Sequence, residues 1–416
     1  MSSKPTWRLT AACLFLGMAA VSCSGGSPAG GGRPAGPSAT SPSTQPPVAQ
    51  RVAEDAATPS ATPPRAAVPR QFRHRLPGMP PILHGEVYAS ARAGNVKASV
   101  ASDPAYLYVP NSYGAPITTV IDQHTHKVVR VLHTGTLSQH VTPSYDLRTL
   151  YVEASVANRL VAIDPKTGRI EKRIHQTRPY NLYFTPDGKQ AIEMAEQDDE
   201  IVFEHPHSFT RIAAVHDRSC DGPNHLDFSA NGRYFITSCE FSGSLLKIST
   251  LRHKVVARLR LPAGSKPQDV RLSPDGHAFY VADMGRNKLL RIGARRLRVI
   301  GHTDTPDMPH GIYPSRDGRL LYVSDRGAGE VSVVRVATNK IVDTWTVPGG
   351  GSPDMGGLSA DGKTLWLSGR YDGEVYGWNT RTGQLIARIH VGGSPHGMLV
   401  WPQPGRYSLG HTGNMR

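Results

Sequence analysis

Seven short polar segments recur along this chain, and each centres on a side chain that can bind a ligand or a metal. The seven are His140, Asn181, His225, Gln268, His310, Asp354 and His396, separated by 41, 44, 43, 42, 44 and 42 residues. Imidazole and carboxylate together suit a divalent transition metal. His310, Asp354 and His396 stand on three consecutive segments, which makes them the candidate metal ligands. The competing reading is a polar lining that keeps a channel wet and satisfies backbone groups near it. Other chemistries leave no signature. The chain has no His-Glu-x-x-His, no Gly-x-Ser-x-Gly elbow and no glycine-rich phosphate loop opening a helix. Gly349-Gly350-Gly351 lies between strand-like runs and reads as a turn.

The elements that must position these residues follow from the spacing, since ~40–45 residues is the length of one propeller blade. Each repeat opens on a short apolar run and then a polar turn such as Thr185-Pro186-Asp187-Gly188, Ser273-Pro274-Asp275-Gly276 or Ser359-Ala360-Asp361-Gly362. Pro presets φ, Asp caps the turn and Gly takes the left-handed position. A β-rich strand follows, as in Leu150-Tyr151-Val152, Phe279-Tyr280-Val281 or Leu365-Trp366-Leu367. An alternating third strand (Val331-Ser332-Val333-Val334) and a turn like Asp164-Pro165-Lys166-Thr167-Gly168 lead to an outer fourth.

From about Gly85 onward the chain resembles the YVTN-type β-propeller repeat family, through Leu107-Tyr108-Val109-Pro110-Asn111 and the later Val120-Ile121-Asp122. The resemblance implies an all-β fold, a single propeller of four-stranded blades, and it implies no one function, because such folds serve many. Seven repeats run from about Val96 to Val391, with further strands expected at Pro395–His411. Gly85-Glu86-Val87-Tyr88-Ala89-Ser90 matches the outer strand Gly383-Gln384-Leu385-Ile386-Ala387-Arg388. Eight blades with a composite last one are therefore expected, with seven as the alternative.

The seven central residues fall at the starts of innermost strands and should ring one mouth of the channel. The loops after the second strands bring Glu153, Glu196, Glu240, Asp283, Arg326 and Arg370 to the same face. Arg326 and Arg370 join the ring residues as candidate ligand-binding groups. Cys220 and Cys239 fall on this face within one blade, where an oxidising compartment favours a disulfide over two buried thiols.

Residues 1–22 read as a secretory signal: Lys4 and Arg8, then a short apolar stretch from Leu9 to Val21. It closes on Ala20-Val21-Ser22-Cys23, which resembles a bacterial lipobox although Ala20 stands where Leu is usual. The resemblance implies a lipidated Cys23 and an anchor on the outer side of the cell membrane. Residues 23–82 are rich in Pro, Ala, Ser and Gly and read as a disordered tether, with the propeller spanning 83–416.

The formal net charge of +14 comes mainly from arginines scattered over turns. No basic helix or aromatic-interleaved basic patch accompanies it, so membrane contact is expected through the anchor alone, and no nucleic acid. A monomer is expected. Two functions remain in view. One is a binding or scaffolding module whose mouth takes a small molecule, a peptide or an envelope polymer, with no cofactor. The other is a metal-dependent enzyme, similar to propeller lyases and lactonases, using the His/Asp ring and a divalent ion. No Cys-x-x-Cys-His is present for haem attachment.

Overall fold

The computed structural model describes residues 68–416, and the fold is all-β. The signal segment, Cys23 and the tether as far as residue 67 lie outside the described residues. Among the described residues no helix is long and apolar enough to cross a membrane.

Seven antiparallel sheets, each a meander, form seven blades. Six are contiguous in sequence. The blade containing His140 is typical: Ser138–Pro143 innermost, then Leu150–Ala154, Arg159–Asp164 and Arg169–His175 outermost. Burial falls outward, from a wholly buried innermost strand to an alternating, mostly exposed outer one. The innermost strands of the next five blades are Asn181–Phe184, Pro223–Phe228, Pro267–Leu272, Pro309–Pro314 and Pro353–Leu358.

The seventh blade closes the ring, and it corrects the expectation of eight. Tyr106–Tyr113, Ile117–Asp122 and Val128–His133 supply its outer three strands, and Leu399–Trp401 from the C-terminal end pairs with Tyr106–Tyr113 as the innermost. The first repeat has no inner strand of its own, so the two chain ends make one blade rather than two. Gly85 to Ser90 does not form an outer strand. It runs into a 3-10 turn at Ala89–Ala91, and the Val87 N–H donates to the Pro274 carbonyl (3.0 Å) on the underside of a neighbouring blade. Tyr407-Ser408-Leu409 forms a hairpin with residues up to 416, bridged at Ser408 and Met415, and meets a blade only at an isolated bridge of Gly410 with Tyr183 on an innermost strand.

These terminal segments share one face. The Ser-x-Asp-Gly turns lie there, held by hydroxyls of Ser273, Ser315 and Ser359 donating to Asp275, Asp317 and Asp361 at 2.5, 2.6 and 2.6 Å. Residues 68–82, read from sequence as part of the tether, pack against this face: Phe72 and Leu76 are buried, and the Leu76 N–H donates to the Asn231 carbonyl at 2.7 Å. The hairpin reaches further, into the channel, where the His411 N–H donates to the Leu182 carbonyl at 3.0 Å. One face is thus covered by the chain's own ends. Among the described residues, neither end covers the other face, where innermost strands begin.

Candidate functional site

The innermost strands are bent where the polar residues sit. In five blades the register with the second strand slips at this position: between Ser138 and Val141, Pro223 and Leu226, Pro267 and Val270, Pro309 and Ile312, and Pro353 and Gly356. A bulge of this kind re-aims side chains and leaves backbone groups without ladder partners. Serines of the second strands take up the slack. Ser324 Oγ donates to the Asp354 carbonyl (2.6 Å) and Ser368 Oγ to the His396 carbonyl (2.7 Å), each crossing to the next blade. One to three residues further along, side chains stitch blades together. Asp227 accepts the Leu272 N–H at 2.7 Å, Asp269 the Ile312 N–H at 2.9 Å and Tyr313 Oη the Gly356 N–H at 2.8 Å.

The bulges bring His140, His225 and His310 to the axis, the closing blade adds His396, and the C-terminal hairpin delivers a fifth. His140 packs on His225, His396 and His411 with ring centroids 5.5, 4.8 and 5.4 Å apart. His225 lies 4.8 Å from His411 and 5.8 Å from His310, and His310 lies 5.6 Å from His396. Tyr180 stands edge-on to His140 at 4.9 Å. The close approach of two blades here depends on Gly397: a Cβ on it would meet His140 Cδ2 at 2.0 Å. All seven ring residues are between 0 and 2% exposed, so the ring is a closed floor rather than an open channel wall. Burial pushes all five imidazoles below their ordinary range, His140 to about 3, so they are neutral at neutral pH.

His310, Asp354 and His396 do converge, but on Asp354 itself. Asp354 Oδ2 meets His396 Nδ1 at 2.6 Å, while Oδ1 lies 3.4 Å from His310 Nδ1 and 3.2 Å from Arg326 Nη1. Arg326 therefore occupies the side of the carboxylate that a cation would need. Asn181 does not line the mouth; its amide nitrogen lies 2.9 Å from His411 Nδ1 and its Oδ1 accepts the Leu182 N–H. Gln268 is buried at the equivalent position. The other two channel carboxylates have arginine partners too: Asp269 with Arg271 (3.3 Å) and Asp227 with Arg416 (2.9 Å). His411 and Arg416 escaped sequence reasoning because they lie outside the repeats, where periodicity says nothing. The only trace was the apolar Tyr407 and Leu409 just before them.

The expected rim is only partly a rim. Glu153 is buried within its strand, and Asp283 is buried with its Oδ1 accepting the Lys266 N–H (2.9 Å). Glu196 and Glu240 lie nearer the loops, and burial raises the pKa of both carboxyls, as it does that of Glu153. Glu240 accepts from Asn224 Nδ2 at 3.0 Å. Arg370 is half-buried and donates to Ser112 Oγ at 3.0 Å. Cys220 and Cys239 are joined by a disulfide beneath these loops.

Three aromatic side chains stand above the buried floor. Among the described residues Tyr113, Phe241 and Tyr371 are the exposed aromatic ones, at 63, 56 and 63%. All three occupy the same place, the turn that follows a blade's second strand, with Val156 at the corresponding turn of another blade. The guanidinium of Arg370 lies over the Tyr113 ring at 5.9 Å and that of Arg326 over Tyr371 at 5.3 Å. A cavity lined by Tyr88, Arg271, Tyr313, Arg316 and Gln403 belongs to the opposite, covered face and includes none of the histidines.

Fold and site together define a seven-bladed β-propeller sealed at one face, with a histidine floor and an aromatic–arginine rim at the other. Residues 81–405 match the family described as YNCE-like beta-propeller, and the chain belongs to that family. The uncharacterized protein YncE of Salmonella typhi is 25% identical over 272 residues, covering 60% of this chain and 73% of that protein. YncE of Salmonella typhimurium is 24% identical over the same shares. Among solved structures, a functionally unknown protein from Desulfotomaculum acetoxidans superposes with a TM-score of 0.60 at 14% identity, over 70% of this chain and 98% of its own. Kuenenia stuttgartiensis hydrazine synthase gives 0.53 at 18% identity, over 71% and 97%. The dihydro-heme d1 dehydrogenase NirN, solved in complex with DHE, gives 0.54 at 14%, over 75% and 80%. At these identities the three structures establish the fold alone.

Proposed function

We propose that the propeller is a binding module whose uncovered face takes a ligand with an anionic group on an apolar or aromatic body. The observation that carries this is the gathering of the exposed aromatics Tyr113, Phe241 and Tyr371 at one repeated loop position, with the half-buried guanidinium of Arg370 over the Tyr113 ring. Aromatic rings offer contact area at low entropic cost, and a guanidinium offers a planar fork for carboxylate or phosphate. The metal-enzyme alternative built on His310, Asp354 and His396 has less support, since Arg326 already neutralises the shared carboxylate.

The test is a thermal-shift screen of the full chain in detergent against aromatic carboxylates, acidic peptides and envelope-polymer fragments. Hits should lose at least about 10-fold in affinity, near 1.4 kcal/mol, in Tyr371→Ala and in Arg370→Ala. Ile386→Ala, on an outer strand, should leave them unchanged. Hits indifferent to the mouth variants would refute the reading.

The module is proposed to work outside the cell membrane, tethered through a lipidated Cys23. Cys23→Ala should move the protein from the membrane fraction to the medium on fractionation, because stable anchoring needs the acyl chains. Unchanged membrane retention would remove the anchor.

A further inference from the structure

Two of the five channel histidines, His310 and His396, gather on Asp354, and the other three gather apart from it. His396 is hydrogen-bonded to Asp354, and His310 Nδ1 faces the same carboxylate at 3.4 Å without a hydrogen bond. His140, His225 and His411 are wholly buried, yet each leaves a ring nitrogen without a hydrogen-bond partner: Nε2 of His140, both nitrogens of His225 and Nε2 of His411. An unpaired polar atom in a protein interior costs about 1–3 kcal/mol. Four of them on three touching rings is an arrangement that needs an occupant.

The three rings also point donors at a common place. One nitrogen from each can be chosen so that all three lie within 4.8 Å of one another. Nitrogens on a tetrahedral zinc ion, at bond lengths near 2.0–2.1 Å, stand about 3.4 Å apart, so small side-chain rotations close the gap. The outer contacts suit ligation. His140 Nδ1 lies 2.8 Å from the Tyr180 carbonyl, which fixes the proton on Nδ1 and leaves the Nε2 lone pair free. His411 is held between the Asn181 amide on Nδ1 (2.9 Å) and Asp269 Oδ1, 3.4 Å from Nε2. Ligation through either nitrogen exchanges one of these contacts for a metal bond and leaves the other to orient the ring.

We propose that His140, His225 and His411 form a binding site for a first-row transition-metal ion of the zinc and copper class, completed by the C-terminal hairpin. Imidazole-only ligation favours these ions over magnesium or calcium. The channel carboxylates Asp227, Asp269 and Asp354 are each paired with an arginine, so the ion's fourth position is left for water or an anion. This site is separate from the mouth rim, and Tyr371→Ala should leave it intact whether or not the rim binds a ligand.

The experiment uses the full chain in detergent, stripped of metal with a chelator and titrated with cobalt(II). One equivalent should produce the visible absorption of nitrogen-ligated, four-coordinate cobalt, and zinc(II) should displace it. His140→Gln, His225→Gln and His411→Gln should each weaken binding by more than the roughly 10–100-fold that loss of an outer-shell partner costs. His310→Gln and the exposed His302→Gln should keep one equivalent. Because a variant of a buried residue can fail to fold, copper(II) electron paramagnetic resonance on the wild type provides a second reading, with three nitrogen ligands expected. Absence of stoichiometric binding, loss of binding in His310→Gln instead, or a copper spectrum with fewer than three nitrogens would overturn the proposal.

Discussion

A chain ending at Gly393 is expected to give no soluble, cooperatively folding propeller. The missing segment carries Met398, Leu399, Val400, Trp401, Tyr407, Leu409 and Met415, each at most 4% exposed. At about 1.5–3 kcal/mol for each buried apolar side chain, the loss is on the order of 10–20 kcal/mol. That equals or exceeds the ~5–15 kcal/mol by which native proteins are stable. The truncation also strips the innermost strand from the closing blade. Tyr106–Tyr113 would then present an unpaired edge, bared along Tyr106, Leu107 and Tyr108 where it now pairs with Trp401, Val400 and Leu399. Sedimentation and far-UV circular dichroism melts of the two lengths are the measurement, and a peptide of residues 394–416 added during refolding should restore part of the signal. A truncated monomer melting near the wild-type midpoint would show that ring closure contributes little.

The second large effect is expected from Asp227→Ala. Asp227 is fully buried and accepts two bonds from Arg416 Nη2 at 2.9 Å each, one from Asn414 Nδ2 at 3.0 Å and the backbone N–H groups of Phe228 and Leu272. Removing it strands a buried guanidinium, which costs about 3–5 kcal/mol. The contact to Leu272 of the next blade goes with it. Arg416→Met should cost less, because Asp227 retains Asn414 and the two backbone donors. In the double variant the stranded charge is gone, so its loss should fall short of the sum of the single losses by about 2 kcal/mol or more. Urea unfolding of the four proteins measures this. Additive losses would mean that the pair contributes no coupling, and that the hairpin is held by its apolar contacts. Arg416 also lies 4.4 Å over the Tyr88 ring, so the N-terminal cover should loosen with it, visible as faster hydrogen exchange at Val87.

Much of this protein was set locally and could be read from the chain. The Ser-x-Asp-Gly turns form because a hydroxyl, a carboxylate and a positive-φ glycine meet within four residues, as at Ser273, Asp275 and Gly276 (φ 72°). Repeating them with period-2 strands every 41 to 44 residues dictates blades, and equivalence of position alone placed His140, His225, His310 and His396 on one axis.

The sequence could not show where those residues ended up relative to solvent and to one another. Whether the chain ends make an eighth blade depends on where the C-terminal strand pairs, a contact nearly 300 residues away in sequence; Leu399–Trp401 pairs with the Tyr106 strand, and the ring closes at seven. The same non-local step carries the hairpin into the channel and adds His411, which no repeat foreshadowed. Packing of two neighbouring blades assigns Arg326 to Asp354, which turns the arc that looked most like a metal site into an ion pair. The chain by itself determined the blades and the identity of the axial residues, because turns and strands are short-range. Only the tertiary structure decided that a fifth histidine joins the four and which face the described chain ends cover, because both depend on how those ends pack against the finished ring.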